Sequence, residues 1–193
     1  MRSAYRDSGQ EVRADTRAEN ADRIEISIKE LGDFTSQIGS VAPGTRAYLD
    51  GPYGTFTIDR HTAPGYVFVA GGVGITPVMS ILQTLADRHD RRPLLLFYSS
   101  KTWEEATFRE ELDDLDRRLN LRTVHIISEP PDGWEGELGR ISAEITARHL
   151  PEGRLDYEYF ICGPEPMQKA VKEYLDRLGI SLDRVQSESF NFV

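Results

Sequence analysis

The sequence predicts an α/β protein whose main part is a five-stranded parallel sheet with helices on both faces. After Ala63, apolar strands and amphipathic helices alternate along the chain, which is the pattern that builds a parallel sheet. A glycine-rich turn joins the first of these strands to the first helix. Before this region, Ile24, Ile26 and Ile28 alternate with polar residues, which indicates a half-buried strand of antiparallel character.

The region before Ala63 divides into two parts. Residues 1–21 are polar and charged almost throughout, so we expect this segment to be mobile. From Asp22 the chain predicts the strand around Ile24–Ile28, a short helical turn in Gly32–Ile38, and a strand at Thr45–Asp50 closed by the turn Gly51–Gly54. An open sheet of two or three strands is rarely stable alone.

The alternating region predicts five strands and four helices. The strands are expected at Tyr66–Ala70, Pro93–Ser99, Arg122–Ser128, Tyr157–Cys162 and Arg184–Phe190. The helices are expected at Thr76–Arg88, Trp103–Leu119, Ser142–His149 and Pro166–Leu178, the last followed by Gly179 as its C-terminal glycine. In this architecture ligands bind beyond the carboxyl ends of the strands.

The turn after the first strand has the composition of a phosphate-binding loop. Gly71, Gly72 and Gly74 precede a helix that we expect to start at Thr76-Pro77. Glycines let backbone N–H groups approach a ligand closely, and a helix N-terminus favours negative charge. Pro77 suits the first helical position, where an N–H group is not needed. It stands where the usual dinucleotide fingerprint has a third glycine, so the loop is a variant of that motif.

Composition excludes several classes of protein. The net charge of −9 argues against a nucleic-acid partner, and the single cysteine excludes an intramolecular disulfide framework and fits a reducing compartment. The four histidines lack metal-ligand spacing. No apolar stretch approaches the roughly 20 residues that cross a bilayer, and the polar start does not resemble a signal peptide. We therefore expect a cytoplasmic protein, or a reductase portion that lies on the cytoplasmic face of a membrane.

Four motifs occur in a characteristic order: Gly71-Gly-Val-Gly-Ile-Thr-Pro77, Ser99-Ser-Lys101, Cys162-Gly-Pro-Glu-Pro-Met167 and Glu188-Ser-Phe190. Together they resemble the nicotinamide-nucleotide domain of the ferredoxin–NADP reductase family, especially the reductase portions of ferric-reductase and NADPH-oxidase-type proteins. The resemblance implies a Rossmann-like domain at 63–193. It also implies that 22–62 is the remnant of a flavin-binding β-barrel, behind a polar segment at 1–21.

The resemblance implies where NAD(P)H would bind. The pyrophosphate would lie on the loop formed by Gly71, Gly72, Val73, Gly74, Ile75, Thr76 and Pro77. The adenosine ribose would lie near Ser99, Ser100 and Lys101, with Arg109 contributing if it faces the site. NAD-preferring sites usually place an acidic residue there, so two hydroxyls and a cation favour NADP(H) over NAD(H). The alternative is that Lys101 is a surface charge and the serines cap the helix expected at Trp103.

The resemblance also assigns the nicotinamide end. Cys162 would lie beside the nicotinamide ring and help to orient hydride transfer without acting as a nucleophile. Gly163, Pro164 and Met167 would form the surrounding cofactor-binding turn. Glu188 would place protons or nicotinamide near the flavin, and Phe190 would stack on the flavin ring, a place that Phe192 could also take. Taken alone, Cys162 could be a buried apolar residue and Glu188 a solvated carboxylate.

Only part of the family's flavin site is recognisable. Gly32, Thr35 and Ser36 match the flavin-diphosphate loop, but the Arg-x-Tyr-Ser-type strand that should precede Arg23 is absent. This leaves three possibilities: a truncated chain without flavin, a partner that supplies the rest, or weak residual FAD binding.

Two functions remain open on the sequence. The first is an NAD(P)H-dependent oxidoreductase that passes hydride to FAD and electrons on to a haem, iron–sulfur or ferric acceptor, which would be a protein or domain. The second is a catalytically silent nucleotide-binding module. The incomplete barrel leaves an open edge near Ile24–Lys29, which predicts self-association.

Overall fold

A computed structural model describes residues 32–33, 35–48 and 54–189 of the 193-residue chain. Six strands follow one another as β1 (Tyr66–Gly71), β2 (Leu94–Ser100), β3 (Leu121–Ile127), β4 (Glu137–Leu138), β5 (Glu158–Gly163) and β6 (Val185–Ser189). Four α-helices alternate with them: α1 (Ile75–Asp87), α2 (Arg109–Arg118), α3 (Ala143–His149) and α4 (Glu165–Arg177).

The strands form one parallel sheet in the order β4-β3-β2-β1-β5-β6. This confirms the predicted α/β fold with its five strands, and adds a sixth at the edge. The extra strand β4 is two residues long and pairs with Ile126 and Ile127. It is fixed by the Gly139 N–H, which donates to the Ile127 carbonyl over 2.8 Å. A pair that short has no periodicity to detect in sequence.

Helices cover both faces of the sheet, as the sequence predicts. Alternate residues of β1 and β2, such as Phe68 and Leu96, pack with α1 and α2 in one apolar core. Their neighbours Val69 and Phe97 pack with α3 and α4 in a second core. Because consecutive strand residues point to opposite faces, each strand contributes to both cores. The sheet is thus buried on both sides, as parallel sheets generally are.

The helix expected from Trp103 begins only at Arg109. The Tyr98 hydroxyl accepts a hydrogen bond from the Thr107 N–H over 3.0 Å, which holds the preceding segment in turns. Phe108 then has φ of 63°, a left-handed conformation that cannot belong to an α-helix. Its ring is buried in the core, so tertiary packing overrides the helical spacing that the sequence shows.

The region before β1 contains less regular structure than expected. The helical turn predicted in Gly32–Ile38 is confirmed as a 3-10 helix at Thr35–Ser40. The described part of the second predicted strand, Thr45–Tyr48, is not a strand. A strand needs a partner for its N–H and C=O groups, and none lies beside this segment among the described residues. The Ile24–Ile28 strand, the polar start and residues 51–53 lie outside the described residues, so the partial barrel and the self-association it implies remain predictions.

The segment that leads into β1 is packed firmly onto the sheet. Ile58 is buried in the core, and Phe56 and His61 both set their rings edge-on to Phe160 of β5. The His61 carbonyl accepts a hydrogen bond from the Tyr66 hydroxyl over 3.1 Å. The route from the N-terminal region into the sheet is therefore fixed at several points.

Two helices end in the same hydrogen-bond pattern with different residues at the left-handed position. After α1, His89 has φ of 53° and its N–H donates to Ala86 O, while the Asp90 N–H donates to Leu85 O. After α4, Gly179 has φ of 81° and the equivalent bonds run to Asp176 and Leu175. Both are Schellman endings, and only the second has the residue that this conformation favours. This confirms Gly179 as the terminal glycine of α4.

We expect His89→Gly to stabilise the protein by about 1 kcal/mol, because a left-handed conformation costs an L-residue roughly that amount. His89 is exposed, so its side chain contributes little packing. Gly179→Ala is the matched control and should destabilise by about the same amount, since a Cβ there meets only Leu155 Cδ2, at 3.9 Å. Urea unfolding monitored by circular dichroism measures both. Equal midpoints for His89→Gly and wild type would contradict this account.

Candidate functional site

The glycine-rich loop lies at the carboxyl end of β1 and runs directly into a helix. Residues Gly72–Gly74 form a 3-10 turn, and α1 begins at Ile75. Pro77 is thus the third helical residue and not the first, but it still lies in the first turn, where N–H groups have no partner inside the helix. The Thr76 hydroxyl donates to the Val73 carbonyl over 3.0 Å and closes the loop on itself. The helix N-terminus is therefore presented at the sheet edge where a phosphate would bind.

The glycines of this loop have two different roles, which the sequence did not separate. A Cβ on Gly72 would meet nothing within 4 Å, so this residue faces open space, and its φ of 52° favours glycine. A Cβ on Gly74 would collide with the Cys162 carbonyl, and one on Gly71 would lie 2.6 Å from Met167 Sδ. Gly71 and Gly74 thus also allow the close approach of neighbouring parts of the protein, and the binding of a ligand at all three glycines remains a prediction.

Cys162 lies at the carboxyl end of β5, next to this loop. Its side chain is fully buried, and burial raises the pKa of the thiol to about 12, with the Glu188 carboxylate adding a smaller contribution. The thiol is therefore neutral at physiological pH, which disfavours nucleophilic chemistry. Its strand partner across the β5–β6 ladder is Glu188.

Glu188 connects the sheet edge with the segment that precedes β1. It is exposed, and a Cβ built on Gly54 would lie 4.0 Å from its Oε1 atom. The sequence assigns Gly54 to the predicted remnant of a flavin-binding barrel, so the carboxylate is expected to lie near the junction with a flavin domain. Phe190, the expected stacking aromatic, lies outside the described residues.

The turn after β5 packs against the loop after β1. A Cβ on Gly163 would lie 2.6 Å from Met167 Cε and 3.1 Å from the Gly71 nitrogen. Pro164 forms the N-cap of α4 and is exposed, while Met167 is half-buried. Met167 therefore fills the space between two glycines, and the open position of this turn belongs to Pro164.

The structure separates the three residues expected around the adenosine ribose. Ser99 and Ser100 both belong to β2, so they cannot cap a helix, and their side chains point to opposite faces of the sheet. The Ser100 Oγ atom is buried without a hydrogen-bond partner among the described residues. Lys101 is exposed, and its Nζ lies 3.6 Å from Glu129 Oε2. Such an exposed pair contributes little stability and leaves the ammonium accessible to a ligand.

Arg109 is stacked on a tryptophan. Its guanidinium lies 4.8 Å from the centre of the Trp103 ring and donates to the Trp103 carbonyl over 3.1 Å. Arg109 therefore lies close to the segment that follows β2, and its guanidinium is held over the face of the indole ring.

An aromatic group beside this end of β2 was not anticipated from sequence. Trp103 packs against Trp134 at 5.1 Å and edge-on to His125 at 5.0 Å between ring centroids. Burial lowers the pKa of His125, and its Nδ1 atom is buried without a hydrogen-bond partner among the described residues. Trp134 lies in the loop between β3 and β4, where no periodic pattern in the sequence signals this contact.

The residues expected at the flavin diphosphate form a small self-contained turn. Thr35 Oγ1 donates to Gly32 O over 3.3 Å, and Ser36 Oγ donates to Asp33 O over 3.1 Å. The amino end of this 3-10 helix is exposed and suits one phosphate. The described residues thus fit the diphosphate end of FAD only, because nothing among them corresponds to the tyrosine and arginine strand.

Two absences hold for the described part of the chain. No three His, Cys, Asp or Glu side chains come together there as ligands for a metal ion. No helix within the same ranges is long and apolar enough to span a membrane.

Comparison with known proteins places this geometry in a family. Residues 68–173, more than half of the chain, match the oxidoreductase NAD-binding domain. The chain is 30% identical over 157 residues to NADH-cytochrome b5 reductase 1 of Candida albicans, covering 80% of this chain and 53% of that protein. It is also 30% identical over 165 residues to one of the subunits of the Na(+)-translocating NADH-quinone reductase of Mannheimia succiniciproducens, covering 82% of this chain and 40% of that protein.

The fold itself is similar to that of a solved reductase. A ferredoxin NADP+ reductase from Neisseria gonorrhoeae with bound FAD and NADP superposes with a TM-score of 0.73 at 22% identity, over 90% of this chain and 77% of the other. The chain spans about half the length of the curated relatives it matches.

The buried thiol predicts a pH dependence of stability. Because the pKa of Cys162 is raised in the folded state, the stability it contributes is complete below about pH 9 and is lost as the pH rises towards 12. The difference in unfolding free energy between wild type and Cys162→Ala should therefore shrink by up to about 1.4 kcal/mol per pH unit above pH 9. Urea unfolding at pH 8, 9 and 10 measures this difference. Parallel pH profiles for the two proteins would rule out a buried neutral thiol.

Proposed function

This chain belongs to the oxidoreductase NAD-binding domain family, and from that premise we propose that it is the nicotinamide-nucleotide half of a flavin-dependent reductase. It would bind NAD(P)H across the carboxyl ends of β1, β2 and β5 and present the nicotinamide to a flavin. The electrons would pass on to a haem, iron–sulfur or ferric acceptor. The name of one relative, a cytochrome b5 reductase, supports a haem protein as the acceptor, whereas the other relative is named for a quinone.

One observation carries the proposal: the phosphate-binding loop and the thiol-bearing strand end are in direct backbone contact. Gly74 approaches the Cys162 carbonyl too closely for any Cβ, and Cys162 pairs with Glu188 on the next strand. A helix N-terminus, a neutral thiol and an exposed carboxylate therefore follow one another along one sheet edge. This order matches the pyrophosphate, the nicotinamide ring and the flavin junction of an extended dinucleotide.

The chain's own residues would bind and orient the nucleotide and the flavin. The open face at Gly72 and the N-terminus of α1 would hold the pyrophosphate. The neutral Cys162 thiol presents no charge to a nicotinamide whose ring charge changes on hydride loss. Glu188 would set the ring or a proton at the junction, and Gly32, Thr35 and Ser36 would hold a flavin diphosphate. Bound FAD would supply a ring that accepts a hydride and releases electrons singly. Hydride transfer requires near-contact geometry, which these residues would help to fix.

The second candidate is a nucleotide-binding module without catalysis. It is favoured by the absence of strands in the described residues 35–48, where a flavin-binding barrel would need them. Both candidates share the nucleotide site, so nucleotide binding cannot separate them, whereas flavin can.

The test of the first candidate is to add FAD and NAD(P)H to the purified chain. We expect nucleotide binding by calorimetry, flavin absorbance retained after gel filtration, and NAD(P)H oxidation with ferricyanide as acceptor. A colourless chain that binds nucleotide but does not oxidise it would support the silent module.

Gly72→Asp provides the site-specific variant for this experiment. A carboxylate beside the pyrophosphate should weaken nucleotide binding at least tenfold by charge repulsion. Gly153→Asp is the matched control, because Gly153 has a comparable φ of 77° and equally open surroundings, but lies before β5 at the opposite edge of the sheet. Equal binding by the two variants would remove the loop from the site.

The choice of nucleotide rests on Lys101. We propose a preference for NADPH, supported by the exposed ammonium at the end of β2 and by the absence of an acidic residue within Ser99–Lys101. The neighbouring Glu129 opposes this preference, because its carboxylate lies close enough to repel a 2′-phosphate. The names of the two relatives given above specify NADH. The Lys101 ammonium and the Glu129 carboxylate should therefore shift the ratio of NADPH to NADH affinity in opposite directions.

We expect Lys101→Asp to shift the ratio of NADPH to NADH affinity towards NADH by about tenfold, through loss of one attraction and gain of one repulsion. Glu129→Gln should shift the ratio the other way by a few-fold, since its carboxylate is exposed and screened. Titration of each variant with both nucleotides gives the ratios. Unchanged ratios in both variants would show that this ion pair lies outside the ribose site.

A further inference from the structure

A buried glutamine joins the ends of the two strands that carry Cys162 and Glu188. Gln168 lies in the first turns of α4 and is only 3% exposed. Its side-chain Nε2 donates to the Gly163 carbonyl over 2.7 Å and to the Glu188 carbonyl over 2.8 Å. An amide nitrogen carries two hydrogens, so both are directed to backbone atoms of two neighbouring strands.

The position of this glutamine on its helix is otherwise apolar. Gln168, Val171 and Leu175 lie at helical spacing on the buried side of α4, and the last two belong to the core between α4 and the sheet. An apolar residue would continue this stripe at no cost in polar burial. Burying an amide is favourable only where its hydrogen bonds are made, as they are here.

The two carbonyls it holds belong to the nicotinamide end of the proposed site. Gly163 packs against Gly71 and follows Cys162, while Glu188 pairs with Cys162 across the ladder. β6 has β5 as its only strand neighbour in the described sheet, so its end is held from one side by the ladder and from α4 by this amide. A second contact from α4, between Lys172 Nζ and Ser187 Oγ at 2.7 Å, lies one residue earlier and does not touch these carbonyls.

We propose that Gln168 is a positioning residue for the nicotinamide ring, acting by holding the carboxyl ends of β5 and β6 in register so that the strand end that carries Cys162 and the Glu188 carboxylate lie beside the same ligand. It does not itself contact the reacting atoms. This inference rests on the proposed nucleotide-binding function. The loop after β1 would hold the pyrophosphate. Gln168, which reaches the strand ends from the α4 side of the sheet, would position the nicotinamide end.

Two ligands that differ only at the nicotinamide separate this role from a general structural one. NADH and ADP-ribose share the adenosine and pyrophosphate, and ADP-ribose lacks the nicotinamide ring. We expect wild type to bind NADH more tightly than ADP-ribose. Gln168→Met, which keeps the length of the side chain and removes its donors, should weaken NADH binding by about tenfold and change ADP-ribose binding less than twofold.

Two further variants complete the experiment. Gln83→Met makes the same exchange on α1, where the glutamine Oε1 is buried without a hydrogen-bond partner among the described residues, and should leave both affinities unchanged. Gln168→Asn keeps the amide but is one methylene too short to reach both carbonyls, and it should show the same selective loss of NADH affinity. It replaces Gln168→Met in the experiment if that variant does not fold. Urea unfolding of each variant reports stability separately from binding.

Each outcome has one meaning. A selective loss of NADH affinity in Gln168→Met or Gln168→Asn supports the positioning role. Equal losses for NADH and ADP-ribose, no loss, or a wild type that binds both ligands equally would overturn it while leaving the nucleotide site intact. If wild type bound neither ligand, the proposed function itself would fail.

Discussion

The contact between the loop after β1 and the end of β5 is the constraint on which the rest of the site depends. At Gly71, Gly74 and Gly163, a single added carbon would meet the backbone of the neighbouring segment or the Met167 side chain. At Gly74 the close approach is to main-chain atoms, which cannot rotate away, whereas at Gly71 the nearest neighbour is the Met167 side chain. Close-packed interiors transmit small displacements of one segment directly to its neighbour. The start of α1 and the Cys162 carbonyl must consequently move together, and a dinucleotide spanning them meets one rigid edge.

This constraint changes how the glycine motif is interpreted. A glycine-rich turn before a helix is usually taken to make space for phosphate, and Gly72, with open space around it, fits that explanation. Gly74 makes space for the carbonyl of the strand that carries the thiol. In the proposed site, the same motif would set both the position of the phosphate and its distance from the nicotinamide end. A substitution at either glycine would impair binding, but for different physical reasons.

The sequence predicted those features that arise from local patterns. The five long strands follow from apolar runs, and Gly179 follows from the preference of the left-handed position for glycine. The sequence did not predict features that depend on contacts between distant residues. One example is the start of α2 at Arg109, because the hydrogen bond from the Thr107 N–H to the Tyr98 hydroxyl holds the preceding segment in turns. The amide of Gln168 reaches a carbonyl 20 residues away, and no periodicity signals such a contact. The strand expected at Thr45–Asp50 depends on partners that the described residues do not supply.

Apolar packing divides the described chain into two parts. From Phe56 onwards, the described chain buries two complete cores, one on each face of the sheet, and the nucleotide site is assembled from that part alone. Before it, residues 39–48 are exposed throughout, and Tyr48 is 87% exposed. A large aromatic left in solvent lacks the burial that would stabilise it. In the described chain, the proposed nucleotide site is thus built from elements that pack on two apolar cores, whereas residues 35–48 pack on neither.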